Sequence, residues 1–188
     1  MGSGKERTVL MGNLKYLEEV SIDFDTSFVH DTNWEAYLDP YIKYQSSKLT
    51  QVHAPYGGLP ASFNEHNTII YQRFFSKAET DYEELGRQLN MDVYTVSAIE
   101  QRPGNTIPLH IDRFYKLRQK VQDKSRQPVR ANIFLEDWKM GHILQFEKDI
   151  VTKWKKHTGF MFNEYVEHLS SNCGMENKYT LQVSGFLK

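Results

Sequence analysis

The sequence predicts a mainly β protein, an antiparallel barrel or jelly roll with helices packed outside it. Three observations carry that prediction. After Asn90 the chain becomes rich in β-branched and aromatic residues, beginning with Val93-Tyr94-Thr95-Val96-Ser97-Ala98-Ile99. Strand-like segments then recur at 106–111, 129–135, 142–146, 150–154, 159–162 and 179–183. Turn residues such as Arg102-Pro103-Gly104-Asn105 and Lys139-Met140-Gly141 separate several of them.

The front of the chain is mixed. A helix is expected from Asn33 to Leu38, with Asp31, Thr32 and Asn33 as caps and Pro40 limiting it. Tyr56-Gly57-Gly58-Leu59-Pro60 reads as a turn. Lys77 to Leu89 reads as a helix, because Ala78, Tyr82, Leu85 and Leu89 recur at spacings of three and four. Neither 1–91 nor 92–188 has the makings of its own core, so a single domain over 1–188 is expected, the first part packing on the second.

Composition narrows the function classes. Lys plus Arg is 23 and Asp plus Glu is 24 in 188 residues, a net charge of −1, which argues against coating nucleic acid or anionic membrane by bulk charge. The single cysteine, Cys173, excludes an internal disulfide framework and a multi-thiolate zinc site. No apolar run approaches the ~18 residues of a membrane span, and the opening Met-Gly-Ser-Gly-Lys has no hydrophobic signal core. Glu6 stands where a myristoylation signal needs Ser or Thr, and Gly4-Lys5 lacks the upstream Gly of a phosphate-binding loop. A cytoplasmic protein without membrane contact is expected.

The chemistry concentrates in the second half. On a strand, His110 and Asp112 project to the same face, roughly 7 Å apart at Cα, so an imidazole nitrogen and a carboxylate oxygen can meet on one metal ion. Alone, such a pair more often marks a surface ion pair. His168 follows 56 residues after Asp112, with several strand-like segments between, which permits a return to the same end of a barrel. Two histidines and one carboxylate with open coordination positions form the facial triad of non-haem Fe(II) sites. Ten residues beyond His168 stands Lys178, then Thr180 on the same face, a cation and a hydroxyl suited to an organic carboxylate.

These residues resemble the Fe(II)/2-oxoglutarate-dependent dioxygenases. The likeness rests on His110-x-Asp112, His168 and Lys178-x-Thr180, and on the run from Lys178 to Gly185, which looks like that family's last barrel strand. Many members carry Arg at the Lys178 position; prolyl-hydroxylase-like members carry Lys. Arg130-Ala131-Asn132-Ile133 is similar to the Arg-x-His strand of the aspartyl/asparaginyl-hydroxylase-like branch, with Asn132 in place of His. The resemblance covers about 92–187. It implies a double-stranded β-helix (cupin-like jelly roll), with Fe(II) on His110, Asp112 and His168. It also implies that 2-oxoglutarate is held by Lys178, Thr180, Arg130 and Asn132, and that O2 is the oxidant for hydroxylating an unactivated C–H bond. Asp112 speaks against halogenation, where members of the family vacate that position. A peptide or protein residue is the expected substrate. The alternatives are a free amino acid or other small metabolite, or a cupin-like binding module without turnover.

The period of two supports this independently. Lys178, Thr180, Gln182 and Ser184 share one face of the last strand, and Arg130 and Asn132 share one face of another. A polar face turned into a barrel is costly unless it lines a wet or ligand-filled site. His142 and His157 compete for the place of His168, but ten residues beyond them stand Thr152 and Glu167, so they read as surface or turn histidines. His30, His53 and His66 read as structural or solvated, Trp138 and Trp154 as core or rim aromatics, and Cys173 as a turn residue. From Arg113 to Arg130 the chain has seven basic residues and one acid, Asp123; this is either a lid for an anionic substrate or a solvated connection. Nucleic acid is disfavoured there because aromatic residues are sparse.

Overall fold

A computed structural model describes residues 15–37, 54–58 and 68–188. Its strands are β1 (Leu17–Ser21), β2 (Tyr71–Phe75), β3 (Met91–Gln101), β4 (Thr106–His110), β5 (Pro128–Phe134), β6 (His142–Phe146), β7 (Asp149–Val151), β8 (Thr158–Asn163), β9 (His168–Asn172) and β10 (Lys178–Leu187). They form two antiparallel sheets, one ordered β1-β8-β5-β10-β3-β2 and the other β4-β9-β6-β7. From β3 onward the chain passes back and forth between the sheets, and only β6 and β7 are consecutive within one. That is a jelly roll, as the recurring short strands predict.

The large sheet is apolar on one face and polar on the other. Val96, Ala98, Ala131, Ile133, Leu181 and Val183 are fully buried on its outer face. They pack under front-part residues that include Val29, Trp34, Phe75, Leu85 and Leu89. Burying each larger side chain contributes about 1.5–3 kcal/mol, so this layer joins the two halves of the chain. The opposite face, with Asn132, Thr180, Gln182 and Ser184, turns toward the small sheet and bounds a cavity.

The helices are shorter than the periodicity suggests. Helix α1 is a single turn (Ser27–His30), and the segment expected from Asn33 is a 3-10 turn at Trp34–Tyr37; Leu38 lies outside the described residues. Helix α2 spans Tyr82–Gln88, with Asp81 as its N-cap accepting from the Glu83 and Glu84 amides at 3.0 Å. Residues 77–79 form a turn before it. Tyr82 donates its hydroxyl to the Phe75 carbonyl at 2.6 Å, tying α2 to β2. Gly57 and Gly58 both take positive φ in the expected turn, and Leu59 and Pro60 fall outside the described residues.

Three strand expectations change. The segment at 150–154 shortens to β7, because Trp154 turns inward to stack on Phe134 at 3.9 Å between ring centroids. Strand β9 was not foreseen, since His-Leu-Ser-Ser-Asn lacks β-branched residues. Strand β4 stops at His110, so Asp112 stands two residues beyond the strand and not on it.

Candidate metal centre and ligand cavity

The cavity between the sheets encloses about 870 Å³. His110 ends β4 and His168 begins β9, and the two are direct cross-strand partners, their ring centroids 4.3 Å apart. A register shift between Ile107 and His110, around Pro108, sets this pairing. Past His110, Phe114 adopts a left-handed conformation (φ 47°) and packs on Leu117 and Phe186. This turn leads into helix α3 (Tyr115–Arg118) and folds Asp112 back over the histidines.

Asp112 Oδ1 lies 3.8 Å from His110 Nε2, and Oδ2 lies 3.8 Å from His168 Nε2. One ligand atom from each residue falls within 4.8 Å of the others, the one such grouping of His, Cys and acidic residues among the described residues. Each imidazole gives its Nδ1 proton to a backbone carbonyl, His110 to Pro108 at 2.7 Å and His168 to Val166 at 3.1 Å. A carbonyl can only accept, so in the neutral rings the lone pair is on Nε2, the atom that faces Asp112. Burial pushes His168 down to about pH 4, keeping it neutral and ready to ligate. Burial alone would raise the Asp112 carboxyl, but Arg130 foremost and the two histidines hold it below its ordinary value.

Asp112 Oδ2 is buried and accepts no hydrogen bond, although Arg130 Nη1 stands 2.9 Å away as an ion partner. A buried carboxylate oxygen lacking a donor, beside two Nε2 lone pairs, fits a divalent cation of the first transition row. The three ligands suit Fe(II), and by donor type they also suit other divalent ions.

Lys178, the first residue of β10, is the second feature of the cavity. It is 2 % exposed, and its ammonium donates to the Ile143 carbonyl at 2.7 Å and to Ser170 Oγ at 2.6 Å. An ammonium has three protons, so one donor remains. No carboxylate pairs with it among the described residues, and burial pushes it down to about 7. Thr180, Gln182 and Ser184 follow on the same face, all bounding the cavity as the two-residue period predicts. Asn132, 5 % exposed, leaves its Oδ1 without a hydrogen bond. Arg130 donates Nε to Ser184 Oγ at 3.1 Å and ion-pairs through Nη1 with Asp112, so it already engages a residue of the His–Asp–His cluster.

Sequence reasoning missed Ser170 and Gln101. Ser170 receives Lys178 and donates to Gln101 Oε1 at 2.6 Å, while Gln101 Nε2 donates to the Ser170 carbonyl at 3.1 Å. Only the β9 register could have revealed them. His142 corrects the surface assignment: it is 2 % exposed, with Nε2 3.0 Å from the Glu176 carbonyl. His157 is a turn residue as expected, at φ 64°. His30 is exposed and lies edge-on to Tyr179, and His53 and His66 lie outside the described residues. No helix among the described residues is long and apolar enough to cross a membrane.

No family model matches the chain, and no curated protein matches it in sequence. Solved structures do share its fold. A prolyl-4-hydroxylase from Pseudomonas putida aligns over 92% of this chain and 92% of its own, at 12% identity and TM-score 0.53. The α-ketoglutarate-dependent carbocyclase SnoK of nogalamycin biosynthesis aligns over 92% and 80%, at 8% identity and TM-score 0.54. A collagen prolyl hydroxylase of Paramecium bursaria Chlorella virus-1, solved with 2-oxoglutarate, aligns over 93% and 97%, at 15% identity and TM-score 0.50. The chain therefore has the double-stranded β-helix fold of the 2-oxoglutarate–Fe(II) oxygenases.

Proposed function

We propose that the protein is an Fe(II)- and 2-oxoglutarate-dependent oxygenase that hydroxylates an unactivated C–H bond, with a peptide or protein residue as substrate. One observation carries this reading. A buried ammonium without a counter-ion among the described residues shares a cavity with a cluster of two histidines and one carboxylate. An anionic ligand chelating a metal at one end and meeting Lys178 at the other satisfies both at once. Fe(II), when bound, supplies the redox chemistry by which O2, 2-oxoglutarate and a C–H bond become succinate, CO2 and an alcohol.

The protein's part is positional. His110, Asp112 and His168 would hold the metal, a donor set of three that suits an ion with further positions for small molecules. Lys178 and Thr180 receive the distal carboxylate, and Ser170 keeps the ammonium aimed. Asn132 faces the remaining space with an acceptor that 2-oxoglutarate, itself an acceptor, cannot satisfy; a substrate N–H or O–H can. The test is anaerobic addition of Fe(II) and 2-oxoglutarate. The expected result is the weak visible charge-transfer band characteristic of the resembled family, lost in His168→Ala. Metal binding without that band would leave a metal-binding module and remove the oxygenase.

A further inference from the structure

Of the seven basic residues between Arg113 and Arg130, four are already engaged. Arg118 pairs with Glu164 and Arg126 with Asp92. Lys124 donates to the Arg118 and Val121 carbonyls at 2.6 Å, and Arg130 pairs with Asp112. The other three, Arg113, Lys116 and Lys120, are exposed and line the cavity, and their side chains have no ion pair or hydrogen bond among the described residues. The expected lid is therefore two things. Arg118, Lys124 and Arg126 pin the segment down, and Arg113, Lys116 and Lys120 present charge at the opening.

We infer that this rim is a docking surface for an acidic peptide segment, the part of the substrate that flanks the residue to be oxidised. The inference rests on the oxygenase reading for the word substrate. Three observations select the occupant. The cations meet one exposed acid along the cavity, Glu167, so the rim is net positive in a chain whose total charge is −1. Lys116 stands in α3 and Lys120 in the turn after it, while Arg113 precedes the helix across the left-handed Phe114, so the three charges come from successive segments of the rim. Acidic side chains spaced along a peptide match that succession better than a single small carboxylate does.

The third observation is apolar. Phe74, Leu109 and Ile111 border the same cavity at 62 %, 44 % and 39 % exposure. Aliphatic side chains beside cations suit a peptide of mixed acidic and apolar residues. A nucleic-acid strand would want successive stacking rings, and of these three residues only Phe74 carries one. Peptide backbone also supplies the N–H donors that the buried Asn132 Oδ1 lacks.

The test uses four fluorescein-labelled probes: a short Glu/Leu/Gly peptide, its Gln/Leu/Gly counterpart, and single-stranded DNA and RNA oligonucleotides of equal length. Fluorescence anisotropy with the intact chain should show the Glu peptide binding about tenfold or more tighter than the Gln peptide, a preference that falls with salt. Arg113→Gln, Lys116→Gln and Lys120→Gln combined should erase the preference, and Lys116→Arg with Lys120→Arg should retain it. No preference in the intact chain, or a preference that survives the triple substitution, overturns the inference. Oligonucleotides binding as tightly as the Glu peptide, and weakened by the same triple substitution, would reassign the surface to nucleic acid. The anaerobic band of the intact chain judges the oxygenase reading separately. A band without peptide preference sinks only the rim, and peptide preference without a band leaves an acidic-peptide surface on a protein that is not this oxygenase.

Discussion

Arg130 Nη1 stands 2.9 Å from Asp112 Oδ2, so the one carboxylate of the metal cluster is charge-paired inside the cavity wall. The guanidinium is planted on β5, and its Nε is held by Ser184 on the neighbouring β10. A metal ion arriving at Asp112 adds a second cation to an oxygen that already has one.

Arg130→Met should therefore act on the metal-free protein more than on the loaded one. Leaving Asp112 buried without its cation is expected to cost about 2–3 kcal/mol, below the ~3–5 typical of fully buried pairs because the Arg130 side chain is 25% exposed. Because the folded-state pKa of Asp112 is depressed, this stability is present above the ordinary carboxylate range and is lost as pH falls through the folded value. Thermal melts with and without Mn²⁺ check it: added metal should recover more stability in the variant than in the parent. Equal gains would show that Arg130 and the metal do not share Asp112.

Lys178 makes ligand binding a protonation event. Burial pushes its pKa down to about 7, so at pH 8 most of the ammonium is neutral before ligand arrives. A dicarboxylate seated against Lys178 should draw in close to ~1 proton per site at that pH. Calorimetry in buffers of different ionisation enthalpy measures the uptake, and Lys178→Met should abolish it. The sign for the free protein follows from the same shift. The unfolded chain holds this proton up to its ordinary value and the folded chain only to about 7, so stability should rise with pH between those limits.

The same variant should separate stability from binding. Lys178→Met removes a buried charge without a counter-ion among the described residues, at similar side-chain length. At pH 6 the midpoint of urea unfolding should hold or rise, while the apparent KM for 2-oxoglutarate should increase by about 10–100-fold. A large stability loss with unchanged KM would make Lys178 a structural residue.

Gly159 on β8 sits against β5, where a Cβ would run into the Asn132 carbonyl and, at 2.8 Å, the Ile133 Cα. Gly159→Ala should cost about 1–3 kcal/mol in urea denaturation by forcing the strands apart. It should leave metal binding, measured by Mn²⁺ titration, largely intact, because His110, Asp112 and His168 stand on β4, the turn after it and β9 and not on β5 or β8.

Much of the site was legible because strand geometry is short-ranged. The spacing of Lys178, Thr180, Gln182 and Ser184 fixed their shared face, and the structure puts all four on the cavity. His110 and His168 could be nominated for a common end of the barrel but not for adjacency. Their cross-strand pairing depends on a register shift at Pro108, which no local pattern records. Asp112 does lie beside both histidines, but in another setting than expected: its approach comes from the turn at Phe114 and not from strand alternation. The contact of Arg130 with Asp112 was hidden for a similar reason, since it joins β5 of the large sheet to the turn that follows β4 of the small one. Strand β9 and the burial of His142 were illegible because Ser, Asn and His carry little strand preference. Their burial is set by hydrogen bonds to distant carbonyls such as that of Glu176.

The three residues of the His–Asp–His cluster are held with unequal firmness. His110 and His168 are locked opposite each other on paired strands, whereas Asp112 hangs on a short turn between β4 and α3. The carboxylate can leave without any strand moving, so a bound ion should be released in two stages, Asp112 first and the imidazoles afterwards. Extraction by a chelator would then be paced by the opening of residues 111–114, the same segment that carries Ile111 and Arg113 at the rim. A partner lying across that rim would hold the segment shut and slow the escape of a bound ion, making it most secure when the rim is occupied.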